Sequence, residues 1–214
     1  MIEFFNEYGT YLLTKTWEHF YISLASIALG IFVAVPLGIL LSKVPKFADR
    51  FISFVGILQT IPSLAILAFF IPIVGIGKVP AILALFFYSL LPILRNTYIG
   101  VRGVDQGIVE AGIGMGMSGW QEIVKMKLPL AVPMIMAGIR LSTVYLIGWA
   151  ALAAFIGGGG LGDLIFDGLN LYEPSLILAG TIPATIMAVI ADRAFALLEN
   201  KMTAEGLKDS ENAA

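Results

Sequence analysis

The sequence predicts an all-α membrane protein of five spans, with the N-terminus outside and the C-terminus in the cytoplasm, on three observations. Hydrophobic residues make up 58% of the chain and charged residues 13%, about half the ~25% of soluble domains. The apolar residues fall into runs that can each cross a hydrocarbon layer, which takes ~20 residues of helix for ~30 Å. Lysine and arginine collect beside alternate ends of those runs, so the surplus apolar surface has a lipid bilayer as its partner and the spans have a direction.

Residues 1–19 mix Phe4, Phe5, Tyr8, Tyr11 and Leu12 with Glu3, Glu7 and Glu18. They read either as an outer interfacial helix or as a partly ordered lead-in to the first span. Met1-Ile2-Glu3 lacks the basic stretch of a cleaved signal peptide, so the first span is expected to serve as an uncleaved anchor. The expected spans cover about 20–41, 51–74, 79–98, 131–156 and 175–198. Pro62 and Pro183 interrupt the second and fifth, and Pro133 stands near the start of the fourth. Such breaks are tolerated where a neighbour or a water-lined path satisfies the freed carbonyls. Residues 200–214 form a polar tail expected to lie disordered in the cytoplasm.

Orientation follows from the basic residues. Lys43, Lys46 and Arg50 follow the first span; Arg95, Arg102, Lys125 and Lys127 flank the connection after the third; Arg193, Lys201 and Lys208 close the fifth. On the other side stand only Lys15 and Lys78, and the connection holding Asp163, Asp167 and Glu173 has no basic residue. The segment around Glu110 therefore faces the cytoplasm.

The same inventory excludes several functions. A net charge of −2 gives no basic groove for nucleic acid. There is no cysteine, and a single histidine, His19, cannot build a multi-histidine metal site, so no metal is expected. No Gly-x-x-x-x-Gly-Lys-Ser/Thr loop occurs, so the chain is not expected to hydrolyse ATP. One histidine, no cysteine and no in-span acid pair leave little for an embedded enzyme. A self-sufficient channel or ion-coupled carrier would place carboxylates within its spans. The first four spans have none and Asp192 lies near the inner end of the fifth, so the energy for transport is expected from a partner.

The connection at about 102–129 carries the functional signal. Asp105 to Met115 can form a short helix with Asp105 and Glu110 favoured near its positive end. Gly114, Gly116 and Gly119 then permit a sharp reversal. Ser118 followed by Gln121 matches a capping box, which starts a second helix expected to run to Lys127 and stop at Pro129. Met115 and Met117 offer adaptable apolar contacts at the turn. The order Glu110-Ala111-Gly112, three residues, Gly116, eleven residues, Leu128-Pro129 resembles the docking loop of permease subunits of type-I ATP-binding-cassette (ABC) importers. Gly112 stands where that family usually has a second alanine, and Met126 replaces a frequent isoleucine.

Three further motifs sharpen the resemblance. Gln59-Thr60-Ile61-Pro62-Ser63-Leu64, Tyr88-Ser89-Leu90-Leu91-Pro92-Ile93-Leu94-Arg95-Asn96-Thr97 and the run from Phe155 to Phe166 resemble permeases of osmoprotectant importers, which handle glycine betaine, carnitine and choline. The third is shared in part with methionine-type importers, so a permease for methionine or another small solute is the alternative. The resemblance implies the type-I ABC importer permease fold over residues 20–199. It implies two permease subunits, identical or paralogous, two separate ATPase subunits that bind the ATP and Mg, and a substrate-binding protein outside. No cofactor is expected in this chain.

Candidate path or gate residues follow. Gln59 and Thr60, beside Pro62, place polar groups at a helix break that either wets a path or is satisfied locally by Thr60. Asn96, next to Arg95, lies near the inner end of the third span, where positioning at the interface competes with ligand contact. Gly157, Gly158, Gly159 and Gly160 form either a movable gate or a plain flexible turn. Arg140 must snorkel, pair with an acid such as Glu110, or face water; a fixed cation would repel a quaternary ammonium ligand, which favours the first two. Trp17, Tyr21 and Tyr172 read as interface anchors.

Overall fold

The computed structural model describes residues 2–203, with side chains from Gly9 onward. In chain order the helices are α1 (Ile2–Leu41), α2 (Pro45–Leu58), α3 (Ser63–Val74), α4 (Lys78–Arg102), α5 (Gln106–Gly114), α6 (Gly119–Glu122), α7 (Leu128–Trp149), α8 (Leu161–Leu171) and α9 (Pro174–Met202). No strand occurs among the described residues. Four helical stretches are long and apolar enough to cross a bilayer, and the bent pair α2–α3 makes a fifth if it is one span.

The central helix is α4, clasped by α1 on one side and α7 on the other. Lipid tails are as apolar as leucine, so helices in a bilayer associate through close packing at small residues. On α1, Ser26, Gly30, Ala34 and Gly38 recur every fourth position and form that stripe. A Cβ on Gly30 would collide with Ser89 Oγ, and one on Gly38 would stand 2.7 Å from Thr97 Cβ. The α4–α7 contact repeats the device: a Cβ on Gly100 would lie 2.9 Å from Met134 Cβ, and one on Gly138 2.8 Å from the Pro92 carbonyl. By contrast α9 leaves Leu178, Ile182, Ile186, Val189 and Ile190 exposed, an apolar face suited to lipid or another helix.

Four features depart from the sequence expectation. Residues 2–19 are helical and run without a break into the first span, as the first half of α1, a single 40-residue helix. No proline interrupts it before Pro36, and Thr14 and Thr16 donate their hydroxyls back to the carbonyls of Thr10 and Leu12. The second span is broken rather than kinked: α2 and α3 meet at 89° across residues 59–62. Pro129 does not stop the second loop helix. A π turn over Ile123–Lys127 widens the helix just ahead of Pro129, where the missing N–H and the ring would break a regular ladder, and Gly119–Ile156 runs on as one element. Its last turns, Ala150–Ile156, tighten to a 3₁₀ helix. Finally, α8 occupies the connection expected to be loop. Residues 204–214, most of the expected tail, lie outside the described residues.

Candidate functional site

The connection between α4 and α7 is a built elbow. Asp105 caps α5, its side chain accepting the Ile108 N–H at 3.2 Å. The helix closes through Gly116 N–H to the Ile113 carbonyl at 2.9 Å and Met117 N–H to the Gly112 carbonyl at 3.1 Å. The second bond spans the reversal and leaves Gly116 at φ 81°, a left-handed conformation suited to glycine. Ser118 and Gln121 then form both halves of the capping box, with Ser118 N–H donating to Gln121 Oε1 at 2.8 Å. The hydrogen bonds that shape the reversal and its caps are all local.

Two unusual residues of this segment meet. A Cβ on Gly112 would stand 2.8 Å from Met126 Cε and in harder conflict with its Sδ, so the methionine fills the space a larger residue 112 would occupy. Gly112 is buried, whereas Glu110 and Ala111 are exposed and Glu110 has no ion-pair partner among the described residues. Met115 is 72% and Trp120 69% exposed, and Ile113 stands out with them. The sequence reading did not single out Ile113 or Trp120; a tryptophan inside a polar connection was the available signal. Leu128 and Pro129 are half-buried at the entry to α7.

At the α2–α3 break the polar groups are spoken for. Gln59 Nε2 donates to the Tyr88 carbonyl at 2.7 Å, Thr60 Oγ1 to the Ile57 carbonyl at 2.7 Å, and Tyr88 Oη to the Ile61 carbonyl at 2.5 Å. Thr60 thus satisfies the break locally, and α4 braces it. Pro62 begins α3 as its N-terminal flank. Asn96 sits in the α4–α7 contact, where a Cβ on Gly138 would stand 2.7 Å from its own Cβ.

The glycine run is tied, not free. Gly158, Gly159 and Gly160 are buried, with φ at 77° and 89° for the last two. Gly160 N–H donates to Glu18 Oε2 at 3.1 Å. The same carboxylate takes Lys15 at 3.0 Å and Lys78 at 2.8 Å, and Lys15 also reaches Asp163 at 2.6 Å. The next residue, His19, is fully buried and its Nε2–H donates to the Ile147 carbonyl at 2.9 Å. Nearby, Gly77 N–H donates to the Ile156 carbonyl at 2.8 Å. Five elements are therefore cross-linked at one end of the bundle: α1, α4, α7, the 3₁₀ turn and α8.

Arg140 pairs with acids of α9 rather than with Glu110. Its Nε and Nη2 bind Asp192 at 3.0 and 3.3 Å, and Nη1 binds Glu199 at 3.1 Å. Asp192 and Glu199 lie seven residues apart on one face of α9, so a single guanidinium bridges α7 to two turns of its neighbour. No group of His, Asp and Glu that could hold a metal occurs among the described residues.

These features define a multi-pass helical protein of the cytoplasmic membrane, with a preformed elbow between two spanning helices. The chain belongs to the binding-protein-dependent transport system inner membrane component family, whose pattern matches residues 26–204. It is 60% identical over 208 residues to the glycine betaine/carnitine/choline transport system permease protein OpuCB of Bacillus subtilis, covering 97% of this chain and 96% of that protein. It is 57% identical to the carnitine transport permease protein OpuCB of Listeria monocytogenes, over 98% of this chain and 96% of that one. The choline transport system permease protein OpuBB of Bacillus subtilis is also 57% identical, over 97% of this chain and 96% of its own length. Among solved structures, an inward-facing form of the MetNI methionine ABC transporter superposes with a TM-score of 0.82 at 24% identity, covering 90% of this chain and 96% of that one. That likeness establishes the type-I ABC importer permease fold.

Proposed function

We propose that this chain is the membrane-spanning permease subunit of an ATP-driven importer of quaternary ammonium osmoprotectants: glycine betaine, carnitine and choline. It lies with its N-terminus outside and its C-terminus in the cytoplasm, and forms the translocation path with a second permease subunit. The ATP and Mg belong to separate ATPase subunits, and a binding protein outside delivers the ligand. The substrate class is supported by relatives at 57–60% identity whose names specify these compounds. The methionine reading has only a fold-level likeness behind it.

The observation that carries the coupling role is the elbow itself. It is rigid by its own hydrogen bonds and presents Met115, Trp120 and Ile113 to solvent around an exposed Glu110. An adaptable apolar surface beside one charge is a docking surface for a partner. A rigid elbow continuous with α7 carries the motion of an ATPase directly into the bundle, because Gly119–Ile156 is one helical lever. ATP binding then biases a two-state bundle, and hydrolysis resets it.

The test is uptake by the chain reconstituted with its ATPase, partner permease and binding protein. Glu110→Lys and Gly116→Trp are expected to insert normally, abolish uptake and uncouple ATP hydrolysis from ligand. Uptake at the wild-type rate in both, at equal expression, refutes the docking role. Uptake of methionine but of no quaternary ammonium compound refutes the substrate class.

A further inference from the structure

The break between α2 and α3 opens a cavity of ≈330 Å3 against α4. With 14 residues of α2 before it and 12 of α3 after it, the break lies about midway along the bent pair. Phe69, Phe70, Phe87 and Tyr88 line the cavity, with Gln59 and Ile61 between them. Phe70 and Phe87 stack at 5.7 Å between ring centroids, across two helices, and Phe69 stands edge-on to Phe70 at 5.7 Å. The residue whose ring completes the wall is fixed from both ends. Tyr88 Oη is spent on the Ile61 carbonyl and its own carbonyl on Gln59, while Trp149 packs edge-on against the ring at 4.8 Å.

We propose that these four rings form a transit site for a quaternary ammonium group inside the permease. The inference rests on the substrate class given above and adds the residues within this chain that hold it. A trimethylammonium group has no N–H to donate, so hydrogen-bond acceptors cannot hold it tightly. Its methyl surface tolerates apolar walls, and its charge is attracted to the negative faces of aromatic rings. The cavity supplies rings and no carboxylate. That absence suits a site on a path, where a ligand must be held strongly enough to enter and weakly enough to leave. A salt-bridged carboxylate would trap the cation. Tyr88 and Gln59, spent on the helix break, keep the cage and the bend as one unit, so straightening α2–α3 disperses the rings and releases the ligand.

The cage separates by charge from an ordinary lipid-filled cleft. The full chain, purified with its partner subunits in nanodiscs and without the binding protein, is to be assayed for radiolabelled choline binding. Competition is by tetramethylammonium or by 3,3-dimethylbutan-1-ol, the neutral isostere of choline. Saturable binding is expected, displaced by tetramethylammonium and not by the isostere. Phe70→Leu and Phe87→Leu are expected each to weaken it about threefold to tenfold, and Phe87→Tyr, which keeps the ring, to restore it. Equal displacement by the neutral isostere, unchanged affinity in the leucine variants, or no saturable binding to the wild type overturns the proposal. In the same preparation, uptake with the binding protein added reads the function separately. Normal uptake without choline binding sinks the cage alone, and absence of any quaternary ammonium uptake sinks the substrate class.

Discussion

Removing the Glu18 carboxylate tests whether the glycine run is a fixed strut. Glu18 is the hub of the cross-link: one oxygen receives Lys15 and the Gly160 N–H, the other receives Lys78, and its side chain is only 18% exposed. Hydrogen bonds to a charged group contribute about 1.5–3 kcal/mol where they are shielded. The Lys78 pair, with the lysine 44% exposed, adds no more than about 1 kcal/mol. Glu18→Ala leaves the Gly160 N–H without its acceptor and Lys15 with Asp163 alone, and is expected to destabilise by about 3 kcal/mol. Glu18→Gln keeps one acceptor and loses the charge, for about half that; Lys78→Ala loses least. At about 2–4 °C per kcal/mol for a chain of this length, thermal unfolding of the purified protein should fall in that order, by about 6–12 °C for the alanine variant. If all three variants melt within about 1 °C of the wild type, the run is a loose turn and not a strut.

Three further expectations concern packing and orientation. A Cβ on Gly162 would collide with the Ala151 carbonyl, which is backbone and cannot swing aside, so Gly162→Ala should lower stability by about 1–3 kcal/mol; Gly148→Ala, with nothing within 4 Å, should leave it unchanged or higher, and equal melting of the two refutes this. Gly112→Ala crowds Met126, and Met126→Ile leaves a gap beside Gly112, so the double variant should be less impaired than the two single losses added together; strict additivity in melting would show that the two side chains do not share the space. Single cysteines at Ser118 and at Tyr172, both exposed, should label from opposite faces of the membrane, and labelling from one face refutes the orientation.

What the sequence disclosed was mainly what local chemistry decides. The Asp105 cap, the reversal at Gly116 and the Ser118–Gln121 capping box are each made by residues within five positions of one another, so their spacing carried the geometry. What it hid was set across long intervals. Glu18 meets Gly160 from 142 residues away, and Arg140 finds Asp192 and Glu199 at 52 and 59, distances over which no periodicity speaks. Pro62 marked a weakness in the second span, but the right-angle bend depends on Tyr88 and Gln59 bracing it from α4 and back. Helix α8 was legible and passed over. Leu161, Leu164 and Gly168 face inward at helical spacing, Asp163 stands in the first turn, and Tyr172 closes the helix in a left-handed conformation. The preceding four glycines drew the reading toward a loop.

Coupling requires that the elbow between α5 and α6 meet an ATP-hydrolysing subunit. A single cysteine at Met115, the most exposed of the elbow's large apolar side chains described above, is to be joined by a short thiol cross-linker to the ATPase subunit in the assembled transporter. A cross-link that forms in membranes and blocks uptake is the result predicted here. An elbow that stays open to soluble thiol reagents in the fully assembled, actively transporting complex would contradict it.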